Sequence, residues 1–267
     1  MSHTPDPRRS AAWLRAQTPA RIGIGRHGAG VPTAPLLDFQ LAHALARDAV
    51  QQPLDCAALA QELAQALGGA RALHLASAAA DRATYLTRPD LGRRLDDPSR
   101  RLLEEADRQP CDAALVIVDG LSATATRSHT PALVKALTER LSGWRWAAPV
   151  IVTQGRVAIG DEIGALLRAD IVLVLIGERP GLSSPDSLGA YLTWNPRVGR
   201  SDAQRNCVSN IRPPHGVSPA QAADKLAWLM TQARHRRLTG TALKDEHLLS
   251  ASISSPPPSL PPSLPES

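Results

Sequence analysis

Two short Val/Ile-rich runs, Pro149 to Thr153 and Ile171 to Ile176, stand one helix-length apart, and they restrict the possible folds of this chain more than any other feature. Each run is apolar without alternation and stops at a glycine-bearing loop, the pattern of parallel strands buried on both faces. Between them Ile163, Leu166 and Leu167 recur at helical spacing behind Asp161 and Glu162, acids that favour a helix N-terminus. The unit reads strand, loop, helix, strand. In open sheets of this kind ligands settle outside the carboxyl ends of the strands, so Gln154 to Val157 and Gly177 to Pro180 are the expected binding loops.

The flanking sequence extends this unit. Ala72 to Ala76 reads as a first strand, Ala113 to Val118 as a second, and Tyr191 to Trp194 as a short last one. Helices are predicted from about Leu36, over Cys56 to Leu67 with Gly68-Gly69 as the stop, and over Pro98 to Asp107 with Asp97 as cap. Two more run from Pro131 to Leu141 and from Pro219 to about His235, the latter capped by Ser218. The polar, Arg-rich connection Ser77 to Leu95 suggests a functional surface. The expected architecture is therefore an α/β, Rossmann-like, mostly parallel sheet with helices on both faces over residues 68–238. A small helical section over 19–67 precedes it, a flexible arm covers 1–18, and a disordered Ser/Pro-rich tail covers 239–267.

Composition removes several functional classes. At 267 residues and 43% hydrophobic content the chain buries a full core, but aromatic residues make up only 3%. That scarcity argues against the stacking platforms of single-strand nucleic-acid binders, despite a net charge of +5. The arginine pairs Arg8-Arg9, Arg93-Arg94, Arg100-Arg101 and Arg236-Arg237 are scattered rather than striped, which fits solvated faces or a protein partner. No apolar run approaches the roughly 20 residues of a membrane helix. Cys56, Cys111 and Cys207 lie far apart with no C-x-x-C spacing, which fits a reducing, cytoplasmic setting without a zinc site.

Candidate chemistry is sparse. Gly23, Gly25 and Gly28 satisfy G-x-G-x-x-G, but Pro19 leaves only a stub of strand before them and Pro32 and Pro35 delay the helix after them. An ordered glycine-rich loop is the expected outcome. Asp119-Gly120-Leu121-Ser122-Ala123-Thr124 resembles a serine-hydrolase elbow, yet Thr124 stands where the second glycine belongs and His129 is too close in sequence to be the base. A cap or ligand hydrogen bond is favoured for Ser122 over nucleophilic catalysis, with a serine hydrolase as one alternative function and a stand-alone nucleotide-binding module as the other. Asp161 and Glu162 weigh against a phosphate on their helix. Glu178, directly after a strand and a glycine, either accepts hydrogen bonds from a ligand at the sheet rim or bridges Arg179 or Arg156. Cys207 lies in a polar loop beside Arg205, a neighbour able to lower its thiol pKa, but no base is near, so packing or ligand contact is favoured.

Five motifs in order carry a resemblance. They are Arg88 to Leu95 (RPDLGRRL), Asp119 to Thr124 (DGLSAT), Gly155 to Asp161 (GRVAIGD), Gly177 to Leu182 (GERPGL) and Cys207 to Arg212 (CVSNIR). Together they resemble the small subunit of ethanolamine ammonia-lyase over about Pro19 to Leu238. The resemblance implies a hetero-oligomer with a large barrel subunit that holds the substrate pocket and, with adenosylcobalamin, converts ethanolamine to acetaldehyde and ammonia by a radical route. It implies cofactor contacts at Val157, Glu178 and Cys207, with no catalytic residue in this subunit. The Asp-x-His-x-x-Gly signature of cobalamin proteins that displace the lower base is missing from the sequence, so the cofactor is expected base-on. Such enzymes are commonly encoded with microcompartment shell proteins, although the N-terminal arm is not a clear amphipathic targeting helix. The Ser/Pro tail and Trp194-Asn195 have no recognised counterpart.

Overall fold

The computed structural model describes residues 11–18, 20–105 and 109–246, with the backbone alone described at Gln17. Residues 247–267 of the expected tail, the first ten residues of the arm and the predicted helix end at Asp107 lie outside the described residues. The expected tail's first residues, 239–246, are instead held by a 3-10 turn at Gly240–Ala242 and by Leu243, which is buried in the core. Helix α1 (Ala11–Gln17) occupies the rest of the arm.

A six-stranded sheet forms the centre, in spatial order β1 (Leu73–Ala76), β3 (Val150–Thr153), β2 (Cys111–Val118), β4 (Ala169–Gly177), β5 (Leu188–Trp194) and β6 (Asn206–Ile211). The first four in that row are mutually parallel, whereas β5 runs antiparallel to β4 and β6 antiparallel to β5. The sheet is thus mixed. The expected parallel order holds for the βα half and gives way where a loop without a crossover helix turns the chain directly back from β4 into β5.

Burial explains the strands. All eight residues of β2 are buried, which is why its apolar run does not alternate. On β4, Ile171, Leu173 and Leu175 join Leu59 and Leu63 of α3 (Cys56–Ala66), Leu133 and Leu137 of α6 (Ala123–Arg140), and Leu226 and Met230 of α8 (Pro219–Arg236). The alternate residues Val172, Val174 and Ile176 face a second cluster with Leu103 of α5 (Asp97–Glu105) and Ile159 and Ile163 of α7 (Ile159–Leu166). Helices therefore cover both faces, but β5 and β6 extend past α7 on the second face. There Tyr191 is half-buried and Cys207 is exposed.

Several boundaries move for identifiable reasons. Helix α6 begins at Ala123, eight residues before the predicted start, because Ser122 accepts from Ala125 N and buried Ala125, Thr126, His129 and Thr130 already line its inner face. Pro131 is carried inside that helix. Helix α5 is capped by Asp96, which accepts from Ser99 N at 2.8 Å, rather than by Asp97. Helix α2 (Thr33–Gln51) starts three residues early because Pro35 falls in the first turn, where a missing N–H costs nothing. The glycines Gly23, Gly25 and Gly28 all take positive φ in the loop before it, with no strand preceding them among the described residues. Ser218 caps α8 in a capping box with Gln221, as its sequence predicts.

The buried residues of helix α2 are Ala46 and Ala49, and Arg82 donates to its Val50 O, while Leu37, Leu41 and Leu45 are 58%, 61% and 51% exposed. These leucines stand at i, i+4, i+8 spacing and form one exposed apolar stripe along the helix.

Candidate functional site

The loops after β2, β3 and β4 meet at the carboxyl edge, as the strand polarity requires. Gly120 and Gly177 make this possible. Gly120 has φ +58, and a Cβ on either glycine would collide with backbone of the facing loop, Gly177 O in one case and Ser122 O in the other. Asp119 ties the edge together. Its carboxylate accepts from Gly120 N at 2.8 Å, Gln154 N at 2.9 Å and Gly155 N at 3.3 Å. Burial pushes its pKa up, opposed by those amides and by Arg82. Arg82 donates to Val50 O, Gly120 O and Gln154 Oε1, and its guanidinium lies 4.7 Å from the Tyr85 ring centre.

The Arg-rich connection drapes over this edge. Arg156 N donates to Gly92 O at 2.7 Å, and the Arg156 guanidinium stacks 4.3 Å from the Tyr85 ring while donating to Tyr85 O. Buried between two guanidinium groups, Tyr85 has its pKa pushed up to about 12, with desolvation as the first cause.

The three predicted contact residues arrive by different routes. Val157, half-buried at the end of the β3 loop, packs on the second core cluster and lines an open groove. Glu178 forms no salt bridge with Arg179 or Arg156 among the described residues. It accepts instead from Ser187 Oγ at 2.5 Å and Asn210 N at 3.3 Å. Cys207 is not in a loop: it lies in edge strand β6, opposite Tyr191. Arg205 is also not beside the thiol as its activator, because its guanidinium is committed to Asp161 at 2.6 and 2.7 Å. Desolvation is the first influence on Cys207 and pushes its pKa up, with the facing Tyr191 acting against that shift and Glu178 adding to it. The group is a thiol at neutral pH, suited to contact rather than attack.

Tyr191 is the residue that sequence reasoning passed over. It lines the groove with Val157, lies opposite Cys207 across the strand pair, and flanks Gly189 opposite Glu178. A Cβ on Gly189 would sit 2.8 Å from Glu178 Oε1 and 3.1 Å from Tyr191 Cε2, so the missing side chain lets the two approach. Only the chain's having just two tyrosines hinted at it.

The remaining sequence candidates resolve into structure. Ser122 is fully buried, accepts from Ala125 N and donates to Pro185 O at 2.8 Å, while His129 Nε2 meets Asp186 O. No nucleophile and base pair forms there. Asp161 and Glu162 are buried ties rather than a surface anion. Asp161 holds Arg205, and Glu162 accepts from Leu95 N at 2.8 Å and pairs with Arg100. Among the described residues there is no cluster of three potential metal ligands and no helix long and apolar enough to cross a membrane.

The class this defines is an α/β protein with a polar, loop-built crevice at the carboxyl edge of a mixed sheet, in which Ser122 serves as a helix cap. Comparison narrows it further. The family described as ethanolamine ammonia-lyase light chain (EutC) matches residues 8–244. The chain is 54% identical over 252 residues to the ethanolamine ammonia-lyase small subunit of Pseudomonas aeruginosa (strain LESB58), covering 91% of each chain. It is 53% identical over 246 residues to that of Pseudomonas fluorescens (strain Pf0-1), covering 90% of this chain and 89% of the relative. With the small subunit of Xanthomonas campestris pv. campestris (strain B100) it shares 52% over 248 residues, or 91% and 90% of the two chains. The chain belongs to the ethanolamine ammonia-lyase small-subunit family.

Proposed function

We propose that this chain holds adenosylcobalamin, base-on, against a large subunit that carries the substrate pocket, in a cytoplasmic two-subunit enzyme converting ethanolamine to acetaldehyde and ammonia. The carrying observation is the convergence of Val157, Glu178 and Cys207 around Tyr191, on the stretch of sheet face that α7 leaves open. The family membership of the chain supports the same reading. So does the bare leucine stripe of α2, which suits a chain that works under a partner.

The residues fit the group. A corrin is broad, flat and rimmed with amide side chains, so it needs an open face with acceptors and small side chains at its border. Glu178 offers a carboxylate at that border, Gly189 leaves room beside it, and Val157 and Tyr191 form an apolar wall. When bound, the cofactor supplies a weak cobalt to carbon bond as the source of radicals. This chain's part is to bind and orient it. Asp119 and Arg82 set the Gln154 to Val157 loop, Ser187 and Asn210 aim the Glu178 carboxylate, and Cys207 stays protonated. We read residues 68–238 as a Rossmann-like holding domain and residues 19–67 as a helical section for subunit contact.

Glu178→Gln tests the site. The amide keeps the shape and the Ser187 bond but loses charge, and a charge-assisted bond contributes roughly 1.5 to 3 kcal/mol against about 1 for a neutral one. Cobalamin affinity of the reconstituted two-subunit complex should fall about three-fold to thirty-fold. Turnover at saturating cofactor should change little. Unchanged affinity would sink the site assignment and leave the family membership standing.

A further inference from the structure

Beside Val157 the open groove has a volume of about 470 Å³ and continues along the uncovered sheet face, between the Arg-rich connection on one side and the β5 to β6 connection on the other. Its walls are of two kinds. Pro89, Val157, Ala158 and Tyr191 are largely apolar, while Arg93, Arg156, Arg200 and Arg205 bring four guanidinium groups. Arg205 is neutralised by Asp161, and Asp202 is the other carboxylate at hand, 3.5 Å from Arg205. Two positive charges are left over. Among the described residues Arg93, Arg156 and Arg200 form no salt bridge; Arg200 donates to the carbonyls of Trp194 and Asn195, and Arg156 Nε is buried without a hydrogen-bond partner.

Guanidinium groups held by carbonyls and ring stacking rather than by carboxylates keep their charge for something else. Their planar donor forks match a phosphate oxygen pair. The volume is within the range of small-molecule sites, and an apolar wall beside the charges suits an organic body attached to the anion.

We infer that this groove receives the phosphodiester of the cobalamin nucleotide loop, with Arg93, Arg156 and Arg200 as its counter-charges. The inference rests on the cobalamin reading above and adds a second, anionic attachment point to the Glu178 and Cys207 border. A free nucleotide or inorganic phosphate offers the same chemistry, and the experiment separates these sources.

Arg93 is the residue to change, since it is exposed and, among the described residues, its side chain forms no hydrogen bond or salt bridge. Binding of cyanocobalamin and of dicyanocobinamide, which lacks the nucleotide loop and its phosphate, is measured spectroscopically on the reconstituted complex, wild type against Arg93→Gln and Arg93→Lys. Cyanocobalamin affinity should fall about five-fold to thirty-fold in Arg93→Gln, the loss of one charge-assisted contact, and recover at least in part in Arg93→Lys. Cobinamide affinity should stay within about two-fold across all three, because the contact it tests is missing from that ligand. Equal losses for both ligands, or no loss for either, would overturn the inference while the cobalamin reading stands. Tight binding of AMP or inorganic phosphate alone, with cobalamin indifferent to Arg93, would assign the groove to a free anion and overturn it as well. Failure of the wild-type complex to bind cobalamin would remove the reading itself, and this inference with it.

Discussion

The pair Asp161 and Arg205 offers the sharpest test of how this core tolerates charge. Both side chains are 2% exposed. Two bonds of 2.6 and 2.7 Å join them, and Arg205 adds donors to Thr193 Oγ1 at 3.0 Å and Arg200 O at 2.9 Å. Removing one partner of such a pair costs about 3 to 5 kcal/mol, because the other charge stays buried. Asp161→Asn keeps one neutral bond of about 1 kcal/mol, so a loss of about 2 to 4 kcal/mol is expected. The loss should not grow as pH rises, since the raised folded pKa of Asp161 makes wild type itself less stable towards neutral pH and the Asn variant lacks that titration.

Arg205→Met behaves differently. Burial already pushes the Asp161 pKa up, with Arg205 pulling it down, so without Arg205 it rises further. The folded state then holds a proton that the unfolded state, with a carboxylate pKa near 3.9, releases earlier. Stability therefore falls as pH rises from about 4 towards the folded pKa, by up to about 1.4 kcal/mol per pH unit. Urea unfolding of the purified chain at pH 5 and pH 7.5 reads both variants. Arg205→Met should cost more at pH 7.5, whereas the cost of Asp161→Asn should not increase from pH 5 to pH 7.5. The double variant should be about 1 to 3 kcal/mol less destabilised than the sum of the singles. A pH-independent Arg205→Met penalty, or simple additivity, would refute the reasoning.

Two further outcomes follow from the carboxyl edge. Gly177→Ala drives a Cβ into the Ser122 carbonyl, a backbone clash that should cost about 2 to 3 kcal/mol and lower Tm by about 4 to 12 °C; a Tm within about 2 °C of wild type would contradict the close loop packing. Ser122→Ala removes the α6 cap and the donor to Pro185 O, for about 1 to 3 kcal/mol in chemical denaturation, and a fluorophosphonate probe should label neither protein; labelling of wild-type Ser122 would overturn its role as a cap.

Local chemistry was enough to place the parallel half of the sheet. Unalternating apolar runs at β2, β3 and β4 report burial on both faces wherever they occur, and a strand's polarity settles which end its loop occupies. The Gln154 to Val157 and Gly177 to Pro180 loops therefore lie where their sequence put them. Capping is equally local, which is why Ser218 was legible. Pro131 misled because its ring constrains only its own turn, while the start of α6 was decided by buried residues upstream of it.

The rest depended on contacts between distant residues. β6 is anchored by buried Val208 and Ile211 while polar Ser209 and Asn210 face outward, a pattern too weak to read as a strand until β5 lies beside it. That pairing carries Cys207 out of a presumed loop and onto Tyr191. Arg205 looked like the thiol's neighbour in sequence, yet the fold turns it inward to Asp161, 44 residues away. The sequence by itself determined the parallel strands, their polarity and which loops lie at their carboxyl ends, because burial and capping act within a few residues. Only the tertiary structure decided which charges neutralise each other, where the sheet turns antiparallel, and that Tyr191 joins Val157, Glu178 and Cys207, because those outcomes are pairings across the sheet.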